Sequence, residues 1–188
     1  VRFEDKASAG TSTLTNAAGG VLAFADDASA TKATVLNQAG AQLRIDQSTA
    51  GVNVGALDGA GNVLLGAKAL TTGGLNASTT VSGTIGGAGG SVIKMGNGAL
   101  ELSGANTYTG ATIVAGGTLA ANNASGSATG TGAVQVQSGA TLAGTGSIAG
   151  TVNVAKGGVL SAGNGGVGTL TLGGLSLAEG AVLNYDLG

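Results

Sequence analysis

Two pairs of adjacent carboxylates, Glu4-Asp5 and Asp26-Asp27, and two arginines, Arg2 and Arg44, have the strongest claim to chemistry in this sequence. Glycoside hydrolysis needs two carboxyls roughly 5–9.5 Å apart across a cleft. Neighbours on an extended chain point to opposite faces, so adjacency reads as solvated turn charge instead. A polysaccharide lyase would set an arginine base beside acidic metal ligands, and no regular Asp ladder accompanies either arginine. Gly165-Gly166-Val167-Gly168-Thr169-Leu170 has the glycines of a calcium-binding β-roll, but Leu170 stands where the liganding Asp belongs. Gly83 to Gly90 is glycine-rich, yet no helix start follows to offer amides and a dipole to phosphate. The pairs Thr13/Thr15, Thr107/Thr109, Thr129/Thr131 and Thr169/Thr171 are too irregularly spaced for an ice-binding array and read as outward strand threonines.

The chain has no His and no Cys. Histidine catalysis, disulfides and Cys/His metal sites are therefore excluded. A net charge of −2 with two Phe and two Tyr excludes a basic, aromatic nucleic-acid surface. No catalytic, cofactor-binding or metal residue is assigned, and no cofactor or small-molecule substrate is implied.

The elements that would position any site come from the order of the small residues. Of 188 residues, 39 are Gly and none is Pro, and aromatic residues are 2%. Mean hydropathy is +0.37, which speaks against disorder. With so few rings, the core must be built from Leu, Val, Ile and Ala, a thin filling that suits an elongated solenoid. One phrase recurs: Gly, one or two small residues, then Leu. It places Leu22, Leu43, Leu64, Leu100, Leu119, Leu142, Leu160 and Leu183 at intervals near 20 residues. The long gap from Leu64 to Leu100 reads as two periods with one degenerate copy near Val81–Ile85. Each copy holds an alternating stretch such as Leu43-Arg44-Ile45, Leu100-Glu101-Leu102 or Val134-Gln135-Val136, the period of a half-buried strand. Gly, Asn, Ser and Thr clusters between them supply turns. No helical stripe is present. The expected fold is all-β: a right-handed parallel β-helix of about nine coils of roughly 20 residues, the period of such solenoids.

The run Gly98-Ala99-Leu100-Glu101-Leu102-Ser103-Gly104-Ala105-Asn106-Thr107-Tyr108-Thr109-Gly110, continuing to Gly116-Gly117-Thr118-Leu119, closely resembles the passenger-associated repeat of bacterial autotransporters. Gly144–Val154, Gly157–Asn164, Gly168–Leu172 and Gly180–Leu187 resemble further coils of that family, with Ala162 where the family often has Pro. The resemblance implies a right-handed β-helical passenger, exported to the surface of a Gram-negative bacterium or secreted. It implies a C-terminal outer-membrane β-barrel as the partner, with host surface or matrix molecules and self-association as further partners. Leu100, Leu102, Gly104, Asn106, Thr107, Tyr108, Thr109, Gly110, Gly117 and Leu119 are the structural repeat residues. Tyr108 is expected to pack over its coil with a solvated hydroxyl. Asn122-Asn123 reads as a loop, not as the cleavage dyad of some autotransporters.

The expected organisation is one solenoid over residues 1–188, with divergent coils in 1–95 and regular repeat coils in 96–188. All but four charged residues precede residue 95. Ala25–Ala33 and Thr71–Thr80 are expected to be excursions from the coil. The regular half is expected to resist denaturant and protease better. Starting at Val1 without a signal peptide, and lacking barrel-type strands, the chain reads as a piece of a longer precursor. The function expected is a non-catalytic stalk and folding module; an adhesin surface and a polysaccharide-active enzyme are the alternatives.

Overall fold

The computed structural model describes residues 1–163 and 165–186. Among the described residues there are short strands and no helix. All strand pairs are parallel. They form three sheets of five, nine and six strands. The nine-stranded sheet runs from Thr13–Asn16 to Thr171–Leu177 with one strand per coil, so the chain winds about nine times. This is a parallel β-solenoid, as the period required.

The first sheet stacks Arg2–Phe3, Val21–Phe24, Gln42–Arg44, Asn62–Leu64 and Ile85–Gly86. Its inward column holds Leu22, Leu43, Val63 and Ile85, all at most 4% exposed. Phe3 and Phe24 stack across adjacent coils with ring centroids 5.0 Å apart. The third sheet stacks Thr79–Val81, Ala99–Leu102, Thr118–Ala121, Thr141–Gly144, Val159–Ala162 and Val182–Asn184. Its inward column is Leu100, Leu119, Leu142, Leu160 and Leu183. The second sheet joins the two faces, because several of its strands turn a corner. In Gly51–Asp58 the first half pairs with Ala69–Thr72, while Gly59 beyond it bridges to Val81 of the third sheet. The register slips between Ala30 and Thr34 and again between Ile148 and Thr151, at such bends.

The recurring Leu is therefore one phrase used on two faces. Leu22 and Leu43 lie in the first sheet, and Leu100 onward lie in the third. The long gap contains a genuine degenerate copy, since Ile85 pairs with Val63, and then a change of face within the same coil. Leu64 is not the inward residue of its copy. It pairs with Arg44 on the outer side, and Val63 fills the core.

The expected excursions are smaller than the sequence suggested. Ala30–Ala33 belongs to the strand Ala30–Asn37, leaving a short corner before it. Thr71–Thr72 closes the strand Ala69–Thr72 and Thr79–Thr80 opens the next, so the second excursion is the loop 73–78. Both segments carry inward residues, and burial of Ala30, Ala33 and Thr72 holds them in the coil. Thr129 is fully buried, against the expectation that it faces outward. At the last coil the inward Leu175, Leu177 and Leu183 are 43–45% exposed, so the well-covered core ends near Leu160. Asn164 and Leu187 of the expected family coils, and Gly188 after them, lie outside the described residues.

Candidate functional site

The repeat residues converge on one coil. Leu100, Leu102 and Leu119 are inward on the third sheet and at most 2% exposed. Gly104 and Gly110 stand at corners where the preceding coil passes too close for a side chain. A Cβ on Gly104 would collide with the carbonyl oxygen of Gly83, and one on Gly110 with that of Gly90. Gly117 takes φ +60°, the left-handed region that glycine enters without strain.

Between those corners, Asn106 to Thr109 replaces a strand of the first face. The amides of Thr107 and Thr109 donate to the carbonyls of Ile85 and Gly87 in the coil below. The Asn106 side chain, 5% exposed, ties both neighbouring coils. Its Oδ1 accepts from the Ile85 amide at 2.7 Å, and its Nδ2 donates to the Ala128 carbonyl at 2.5 Å. An amide is suited to this place because it carries an acceptor and a donor on one planar group. Asn106→Asp keeps the first bond but turns a carboxylate oxygen toward the Ala128 carbonyl. We expect it to cost at least about 2 kcal/mol, from a lost bond and a buried charge. The urea midpoint at pH 7 checks this, and a midpoint equal to the parent's would contradict it.

Tyr108 is fully buried, and its hydroxyl lies 2.6 Å from Thr112 Oγ1, which is also buried. This corrects the expectation of a solvated hydroxyl. With so few rings in the chain, the tyrosine ring fills the core at a point where the strand is interrupted, and the threonine partners its polar tip. Burial pushes the Tyr108 phenol above its ordinary value. Thr107 and Thr109 point outward and are exposed. Thr109 Oγ1 accepts from the Gly89 amide at 2.8 Å.

Among the buried polar side chains missed in the sequence are three sets that bond across coils. Asn16 and Asn37 bond side chain to side chain at 2.8 Å and reach the carbonyls of Gln42 and Asn62. Their separation of one coil was the available signal. Asn123, in the expected loop, is only 6% exposed and accepts from the Ser147 amide. Lys94 is the third. It occupies the inward position of Ser91–Lys94, and its Nζ donates to the carbonyls of Met95, Gly96 and Gly116 at 2.7–3.1 Å. The alternation Val92-Ile93-Lys94 already pointed it inward.

Burial pushes the Lys94 ammonium below the ordinary lysine value of 10.5. The unfolded chain therefore holds that proton to higher pH than the folded one, and this group's contribution to stability rises as pH climbs toward 10.5. Tyr108 acts oppositely, since its folded value is raised and its contribution is lost as pH rises past 10.0. The difference in melting temperature between the parent and Lys94→Met should thus shift in the parent's favour from neutral to alkaline pH. A constant difference would show that Lys94 titrates normally.

The acidic pairs form no cleft. Glu4 pairs with Arg2 at 2.5 Å and Asp46 with Arg44 at 2.7 Å, on the surface. The hydrogen bond from Arg44 holds the Asp46 carboxyl below its ordinary value. Exposed pairs of this kind add little to stability, because water screens them. Asp26 Oδ2 accepts from the Asp5 amide one coil below, at a corner where both residues have positive φ. Among the described residues, no group of three or more acidic side chains is placed to hold a metal ion.

The structure is thus a parallel solenoid in which the segment Asn106 to Gly110, anchored by the buried Asn106 and Tyr108, ties three coils. A family model, the passenger-associated-transport-repeat, matches residues 92–121, the strand with Lys94 through the strand ending at Ala121. Over 89 residues the chain is 42% identical to the Adhesin BmaC autotransporter of Brucella suis biovar 1 (strain 1330). That alignment takes in 47% of this chain and 2% of the relative's length. No solved structure matches significantly. The repeat and the relative agree with the resemblance read from Gly98 to Leu119, and the chain spans a small fraction of that relative's length.

Proposed function

We propose that the chain is a non-catalytic stalk and folding module of a cell-surface passenger in a Gram-negative bacterium. The carrying observation is the Asn106 bridge. The repeat motif spends its polar residues on bonds to the coils below and above rather than on a cleft. A coil that satisfies its neighbours in this way offers a template on which the next coil can dock. In solenoids, stability is a sum of such nearest-neighbour terms. Residues 96–188 are the portion to which we assign the folding role, with residues 1–95 as more divergent coils of the same rod. Its partner is an outer-membrane β-barrel borne by the same precursor.

Deleting residues 92–121 from the precursor tests this. Loss of the passenger from the cell surface, with the barrel still inserted in the membrane, is the expected result. Normal display of the shortened passenger would overturn it. A second reading, an adhesive surface, is favoured by the relative's description as an adhesin. Binding of cells or matrix by the purified chain distinguishes it.

A further inference from the structure

The second sheet presents an outward row in strict register, in which Gln135, Asn153 and Ser176 follow one another on consecutive coils. Two residues further along the chain, Gln137, Ala155 and Ala178 form a parallel outward row. Between the rows lies a groove of about 350 Å³ lined by these six residues and the backbone of Val136 and Val154. All six are exposed. The amides of Gln135, Gln137 and Asn153 and the hydroxyl of Ser176 make no hydrogen bond within the described chain. This contrasts with Asn16, Asn37, Asn106 and Asn123, whose amides are all used internally.

We infer that this groove binds an uncharged glycan. Its volume lies at the small end of the range for ligand sites, about 300–1,000 Å³. Every side-chain polar group lining it is neutral and can both donate and accept, the pairing that sugar hydroxyls require. Coil spacing sets neighbouring amides about 4.8 Å apart along the rod, and the two rows stand about 6.6 Å apart across it. The first row offers one neutral polar side chain per coil over three coils, Gln135, Asn153 and Ser176, to meet successive units of a chain-like ligand. Ala155 and Ala178 line one side of it with small apolar surfaces against which the C–H faces of sugar rings can rest. A protein partner would find none of the Trp, Tyr or Arg anchors that dominate protein interfaces. A nucleic acid or sulfated chain would find no cation in the groove, since Lys156 and Glu179 belong to the adjoining turns. This inference stands apart from the stalk reading: one concerns display on the cell, the other ligand capture by the purified chain.

The test is binding of the purified chain to arrayed neutral oligosaccharides, with sialylated and sulfated versions alongside. Retention of neutral members is expected. Gln135→Ala combined with Asn153→Ala should weaken it about tenfold or more, the scale of one or two lost hydrogen bonds. Gln135→Glu, which preserves size, should also weaken it and supplies a second variant should the first melt early. Three results would overturn the inference: no neutral glycan retained, only charged members retained, or affinity unchanged in both variants. Self-association in sedimentation that the double variant abolishes would assign the groove to a second copy and overturn it equally.

Discussion

Tyr108→Ala is expected to destabilise the chain by about 3–5 kcal/mol, the cost of removing a buried ring. The ring is fully buried among the apolar side chains of its own coil and the neighbouring ones. The coil has no regular strand at this point to offer replacement packing, because Asn106 to Thr109 is held by isolated inter-coil bonds. Truncation also orphans the Thr112 hydroxyl, which is 0% exposed and has its partner in Tyr108. Tyr108→Phe separates the two contributions. It keeps the ring and loses only the bond, at a cost of about 1–3 kcal/mol for an unsatisfied buried hydroxyl. Denaturant midpoints of the two variants check the ordering. Equal midpoints for Phe and Ala would mean that the hydroxyl pair, not the ring, carries the stability.

Leu102→Asp is the second large effect. Leu102 is fully buried and pairs with Val81 below and Ala121 above, in the column that also carries Gly144. The core is narrow and Leu102 is fully buried among apolar side chains, so the introduced carboxylate is cut off from water. Uncompensated burial of a charge costs several kcal/mol, which the group reduces by raising its pKa. That gives the loss a pH signature. The folded variant holds its proton to higher pH than the unfolded chain. The deficit relative to the parent is therefore greatest at neutral pH and shrinks as the pH falls toward the ordinary aspartate value of about 3.9. Melting curves at several pH values check both size and slope. A deficit that is small and independent of pH would place residue 102 in contact with water.

Both substitutions fall within the repeat motif, and there the sequence was most informative. The two-residue alternation of Leu100-Glu101-Leu102 fixed which side chains face inward, because any strand turns alternate residues to opposite faces. The spacing of the Gly-x-Leu phrase fixed the coil, because stacked parallel strands need one equivalent segment per turn. Glycines 104 and 110 were visible as repeat residues, and their reason, a neighbouring carbonyl within collision distance, was not. Leu64 was misplaced by one residue, since Val63 and Leu64 are both apolar and only pairing with Leu43 and Ile85 decides between them.

The sequence by itself determined the solenoid, its coil count, its all-β character and the exclusion of histidine and cysteine chemistry. These depend on period and composition, which are properties of the chain alone. The tertiary structure decided which face each phrase occupies, because the same short strand fits any side of a three-sided coil and only the corners assign it. It also decided the fate of the polar residues. Asn106, Tyr108, Lys94 and Asn37 are satisfied inside, while Gln135, Gln137 and Asn153 stand unpaired outside. That difference rests on partners mostly one coil away, about 20 residues along the chain but about 4.8 Å across it. Such proximity exists only once the rod is wound.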